Sequence, residues 1–89
     1  MTKIKICGIT DEADALFCAE AGADFLGFIF VPSSPRHIEP EKAGEIAKRL
    51  RENANAPKIV GVFRDASVDY IREISNVVYL DIVQLHGSE

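Results

Sequence analysis

Cys7 stands near the end of the run Lys3-Ile-Lys-Ile-Cys-Gly-Ile-Thr10, where Ile4 and Ile6 alternate with Lys3, Lys5 and Cys7. Such alternation marks a strand with two unlike faces. Gly8 then permits a tight turn, and Thr10 is placed to cap a helix that opens with Asp11 and Glu12. Cys7 therefore falls at the carboxyl end of a strand, where parallel α/β folds keep their chemistry. A thiol acts as base or nucleophile only as thiolate, a form favoured by a nearby cation or a helix N-terminus. Lys5, on the same strand face, and the helix start are both such neighbours. The alternative is a small buried packing residue, which is what free cysteine commonly is. Cys18 lies inside a helix without neighbouring cations and reads as packing.

A second polar pair closes the sequence in Gln84-Leu-His-Gly87. Gln84 and His86 are two residues apart and share one face of a strand, while Val83 and Leu85 point the other way. They suit either a ligand site or a hydrogen-bonded pair without a catalytic role, because buried polar groups need partners in both cases. Arg36 lies in the turn-rich loop Pro32-Ser-Ser-Pro-Arg-His37. Its planar fork suits a carboxylate or a phosphate, although many loop arginines are simply solvated. Arg64 and Asp65 end a later strand and read as solvated or as a local ion pair. Asp11 and Glu12 read as helix-start charges. No second histidine or carboxylate stands at ligand spacing, so a metal is not expected.

These residues need a frame to position them, and strand and helix alternate throughout. Strands are expected at 3–8, 25–31, 58–63 and 82–86. Helix one follows Thr10, with Ala13, Leu16, Phe17 and Ala21 on one face and Gly22 as its stop. The apolar run Phe25 to Val31 is of the kind buried on both faces of a parallel sheet. Helix two starts near Pro40 and shows Ala43, Ile46, Ala47 and Leu50 at helical spacing; 53–57 breaks it. Helix three is capped by Ser67 and buries Ile71, Ile74 and Val78. Crossovers of helical length predict a parallel sheet with right-handed connections. The nucleotide fingerprints G-x-G-x-x-G and G-x-x-x-x-G-K are absent.

The chain has 89 residues, a single domain at most, and a formal net charge of -4 with scattered basic residues. That argues against nucleic acid or an anionic membrane as partner. No apolar run reaches the roughly 20 residues that span a bilayer, and the lysines near the N-terminus precede no apolar signal core. Two cysteines without metal or disulfide spacing fit a reducing, cytoplasmic setting.

Three segments together resemble phosphoribosylanthranilate isomerase of tryptophan biosynthesis. They are Lys5-Ile-Cys-Gly-Ile-Thr10, Gly27-Phe-Ile-Phe-Val-Pro-Ser-Ser-Pro-Arg36 and Gln84-Leu-His-Gly87. Each is weak alone; as a set in this order they are specific. The resemblance implies a (β/α)8 TIM barrel and a cofactor-free Amadori rearrangement. N-(5-phosphoribosyl)anthranilate opens its ribose ring and moves a proton to become a 1-deoxyribulose phosphate. By the same resemblance Cys7 is the general base, Arg36 holds the anthranilate carboxylate, and Gln84 and His86 line the site. A (β/α)8 barrel takes about 200 residues or more, so residues 1–89 are expected to form an N-terminal half-barrel. The family's general acid, an aspartate on a later strand, and its phosphate-binding loops lie outside that half. The expected partners are a complementing C-terminal half or a second copy, and the chain alone is expected to be inactive. A self-associating structural half-barrel, or a small α/β binding domain without catalysis, is the alternative.

Overall fold

A computed structural model describes residues 3–53 and 56–86. Strands β1 (Lys5–Cys7), β2 (Phe25–Ile29), β3 (Lys58–Arg64) and β4 (Ile82–His86) alternate with helices α1 (Glu12–Glu20), α2 (Pro40–Arg51) and α3 (Val68–Val78). The strands form one parallel sheet, as the helical crossovers predict, and their order is β1-β2-β3-β4, that of the expected half-barrel. Strands one and two are shorter than their apolar runs, because pairing ends at Cys7 and Ile29 while Val31 already belongs to a turn. The expected break at 53–57 lies partly outside the described residues, as does Gly87.

The pleat sorts the strand residues into two faces. Leu26, Phe28, Phe30, Ile59 and Phe63 join Ala43, Ile46, Leu50, Ile74 and Val78 of the helices in the main core. Ile29, Val60 and Val62, with Cys7, Phe25 and Val31 against them, form a second cluster to which no helix contributes. All three helices therefore cover one face, and the other is the concave inner wall of a half-barrel.

Helix α1 departs from the sequence reading. Its N-cap is Asp11, not Thr10: Asp11 Oδ1 accepts from the Asp14 N–H at 2.8 Å. A carboxylate at this position both bonds the free amide and complements the helix dipole. The buried residue is Ala15, with Leu16, Cys18 and Ala19 packed against the core. Ala13 and Ala21 are exposed, and Phe17 is 71% exposed. Phe17 lies about 200° round the helix from Ala15, on the flank opposite the one that meets the core. Helix α2 buries the expected Ala43, Ile46, Ala47 and Leu50; helix α3 buries Ile74 and Val78, but Ile71 packs against the core only half-buried, and Ser67 caps α3 through the Tyr70 N–H.

One device recurs at the amino end of the sheet. Asp24, just before β2, accepts the Ile4 N–H at 2.7 Å, and Asp81, just before β4, accepts the Ile59 N–H at 2.8 Å. In each case a carboxylate ahead of one strand satisfies an amide at the start of the preceding strand or just before it.

Candidate active site

Cys7 is the last residue of β1 and its side chain lies on the concave face. Its neighbour on β2 is Gly27. A Cβ at Gly27 would stand 2.9 Å from Cys7 Sγ, so the glycine is what gives the thiol room on the sheet. Gly8, directly after Cys7, has φ +85, a left-handed conformation that favours glycine. It turns the chain off the strand toward α1 and leaves space above its own backbone.

Arg36 takes that space. A Cβ on Gly8 would meet Arg36 Nη1 at 2.6 Å and its Cδ at 2.8 Å. Arg36 Nη1 also donates to the Cys7 carbonyl at 3.4 Å. The loop carrying Arg36 is folded back on β2 by its own bonds. Ser34 N–H donates to the Val31 carbonyl at 2.9 Å, Arg36 N–H to Ser34 Oγ at 3.1 Å, and Ile38 N–H to the Ile29 carbonyl at 3.2 Å. The Ser-Pro-Arg turn thus returns the guanidinium to the end of β1, although 29 residues separate it from Cys7.

The result is an open cleft of about 260 Å³ at the carboxyl ends of the strands. Cys7, Ser34, Arg36, Arg64 and His86 surround a floor of Ile29, Val31 and Val62. Three of the four candidate residues therefore meet in one place. Gln84, on the same face of β4, does not line the cleft; its Nε2 lies 2.7 Å from His86 Nε2, and its Oε1 accepts from Lys5 Nζ. Lys5 shares the face of Cys7 but reaches across the sheet to β4.

Arg64 is exposed, in line with the solvated reading, and has no ion pair with Asp65 among the described residues; what the sequence reading missed is that it lines the cleft, opposite His86 in the β3–β4 register. Among the described residues neither Arg36 nor Arg64 has a carboxylate within ion-pair distance, and no acidic side chain lines the cleft. Asp65, next in the chain, has φ 49, an uncommon conformation for a residue with a side chain. Strand parity could have found Arg64: on β3 it shares a face with Val60 and Val62, as Cys7 does with Lys5 on β1. Two guanidinium groups over an apolar floor suit an aromatic or otherwise flat anion, and a thiol beside them could exchange a proton with it. Among the described residues no cluster of histidine, cysteine and carboxylates could hold a metal.

The family model for N-(5'-phosphoribosyl)anthranilate (PRA) isomerase matches residues 4–89. The chain belongs to the PRA isomerase family. It is 51% identical over 89 residues to the N-(5'-phosphoribosyl)anthranilate isomerase of Geobacter sp. (strain M21), covering 100% of this chain and 42% of that relative. The crystal structure of the phosphoribosyl anthranilate isomerase from Thermotoga maritima matches with a TM-score of 0.90 at 45% identity, over 100% of this chain and 42% of the other. A phosphoribosyl anthranilate isomerase solved with reduced 1-(o-carboxyphenylamino)-1-deoxyribulose 5-phosphate matches equally, with a TM-score of 0.90 and 45% identity over 100% and 44% of the two chains. The chain thus spans less than half the length of the PRA isomerases it matches, and its β-α-β-α-β-α-β order is the first part of their barrel.

Proposed function

We propose that this chain supplies the N-terminal half of a PRA isomerase site, converting N-(5-phosphoribosyl)anthranilate to 1-(2-carboxyphenylamino)-1-deoxyribulose 5-phosphate. The observation that carries the reading is the convergence of Cys7, Arg36 and His86 on one cleft at the strand ends of a family member. A related enzyme was solved with a reduced form of that product, which supports the substrate class.

The reaction is an isomerisation, so its atoms balance without a co-reactant. The anilino nitrogen pushes its lone pair toward sugar C1, the C1–O bond of the ring breaks, and an acid protonates the departing oxygen. That leaves an iminium at C1, which acidifies the C2–H. The Cys7 thiolate removes this proton; the C–H electrons form C1=C2 and the iminium electrons return to nitrogen. The resulting enol passes its hydroxyl proton away, C1 gains a proton, and C2 becomes the ketone. In this scheme Arg36, with Arg64 beside it, orients the anthranilate carboxylate, and His86 and Gln84 line the wall. The acid and the phosphate site come from the part of the relatives that this chain does not cover, so residues 1–89 act as one half-barrel segment and have no turnover alone.

The partner proposed for residues 1–89 is a C-terminal half. β1 and β4 each have one paired neighbour among the described strands, which leaves two parallel edges. Those edges favour a second reading, in which two copies place β4 of one beside β1 of the other and make the eight strands of a closed barrel. The test is isomerase activity of the chain completed with a C-terminal half, as wild type and as Cys7→Ala. Restored turnover that Cys7→Ala lowers by about 10²–10⁴-fold supports the reading; restored turnover indifferent to Cys7 refutes the base assignment. Sedimentation of the chain without that half reads the second copy: a dimeric mass is expected, and a stable monomer contradicts it.

A further inference from the structure

Lys5, Gln84 and His86 form a bonded row across the concave face, from β1 at one edge of the sheet to β4 at the other. Lys5 Nζ donates to Gln84 Oε1, and Gln84 Nε2 lies 2.7 Å from His86 Nε2. The first member of the row fixes the other two. A lysine ammonium has donors and no acceptor, so the amide atom facing it is the carbonyl oxygen. The amide group facing His86 is then the NH₂, which only donates. His86 Nε2 must accept, and the single proton of the neutral imidazole is left on Nδ1.

We propose that Lys5 is a positioning residue which, acting through Gln84, holds His86 as the Nδ1–H tautomer. In that form the ring has no free lone pair. Nε2 is occupied by the Gln84 amide, and Nδ1 carries the proton. His86 then enters the cleft as a hydrogen-bond donor and not as a base. Of the thiol and the imidazole that line the cleft, only Cys7 is left to take a proton from carbon. The use of this donor, toward a sugar hydroxyl or carboxylate oxygen of the substrate, rests on the isomerase reading above. The tautomer does not.

The test is a long-range proton–nitrogen NMR correlation of the ¹⁵N-labelled chain at mildly alkaline pH, where imidazoles are neutral. The chain has two histidines, and His37→Gln assigns the rings. Wild type is expected to show His86 with its proton on Nδ1 and a bare Nε2, the reverse of the usual preference in water. Gln84→Glu replaces the NH₂ donor with a carboxylate acceptor, so the proton should move to Nε2. Lys5→Met frees the amide to flip and should mix the two tautomers; if that variant fails to fold, Gln84→Glu decides. A wild-type ring protonated chiefly on Nε2, or a Gln84→Glu ring still bare there, overturns the proposal. No substrate is present, so this failure is distinct from failure of the isomerase assay.

Discussion

The middle and the outside of this sheet are made of similar residues under unlike cover. In β2 and β3, Leu26, Phe28, Ile59 and Phe63 are all fully buried beneath the helices. In β4, Val83 and Leu85 occupy the corresponding helix-side positions, yet they are 42% and 63% exposed. At the other edge Ile4 and Phe17 are likewise exposed. Val83 and Leu85 thus carry the apolar pattern of a covered face yet lie exposed among the described residues, on the same sheet whose inner wall holds the cleft.

The sharpest contrast is between Phe63→Ala and Leu85→Ala. Phe63 lies 5.4 Å from the ring of Phe30 and 6.1 Å from that of Tyr70, centroid to centroid. Its truncation is expected to cost about 3–5 kcal/mol, which unfolds much of a chain this small. Leu85→Ala should stay within about 0.5 kcal/mol in the uncompleted chain. Urea midpoints measure both. Equal losses would mean that β4 is already covered, by a second copy for example, and sedimentation of the same samples would show it.

Two glycines extend the comparison to the site. Gly8 and Gly22 have similar positive φ, +85 and +97, but a Cβ would strike Arg36 at Gly8 and nothing within 4 Å at Gly22. Gly22→Ala should cost about 1 kcal/mol, the penalty of the left-handed conformation. Gly8→Ala should cost roughly 1–3 kcal/mol and displace Arg36 as well. Losses of the same size, with Arg36 unmoved by NMR, would break the claim that Gly8 seats the guanidinium.

A further expected effect concerns Arg64. In the completed enzyme Arg64→Met should raise KM about tenfold and leave kcat nearly unchanged. The basis is the roughly 1.5 kcal/mol of one hydrogen bond to a charged group, made alike in ground and transition states. An unchanged KM would make Arg64 a bystander at the rim.

Much of this was legible in the sequence. Helical crossovers pointed to a parallel sheet, the family resemblance to a half-barrel, and the spacing of Ala43, Ile46, Ala47 and Leu50 to the buried face of α2. The strand-end positions of Cys7 and His86 placed them at one end of the sheet. What could not be read depended on contacts between distant segments. Phe17 looks like a core residue until α1 is seen to pack through Ala15. Asp11 and Thr10 are both able to cap, and only the path of the chain chooses between them. Arg64 is as exposed as it looks, but its place in a cleft shared with Arg36 shows only once the Arg36 loop folds back. Lys5 seems a neighbour for Cys7, but the curvature of the sheet brings it to Gln84.

Whether the chain holds half of a working site can be measured. The measurement is the rate of PRA isomerisation by the 89-residue chain alone, compared with the same chain joined to the C-terminal part of its Geobacter relative. No turnover above the uncatalysed rate is expected for the chain alone. For the joined protein, turnover is expected that Cys7→Ala reduces by about 10²–10⁴-fold. Turnover by the chain alone, or a joined protein equally active without the Cys7 thiol, would show that the site is not shared in this way.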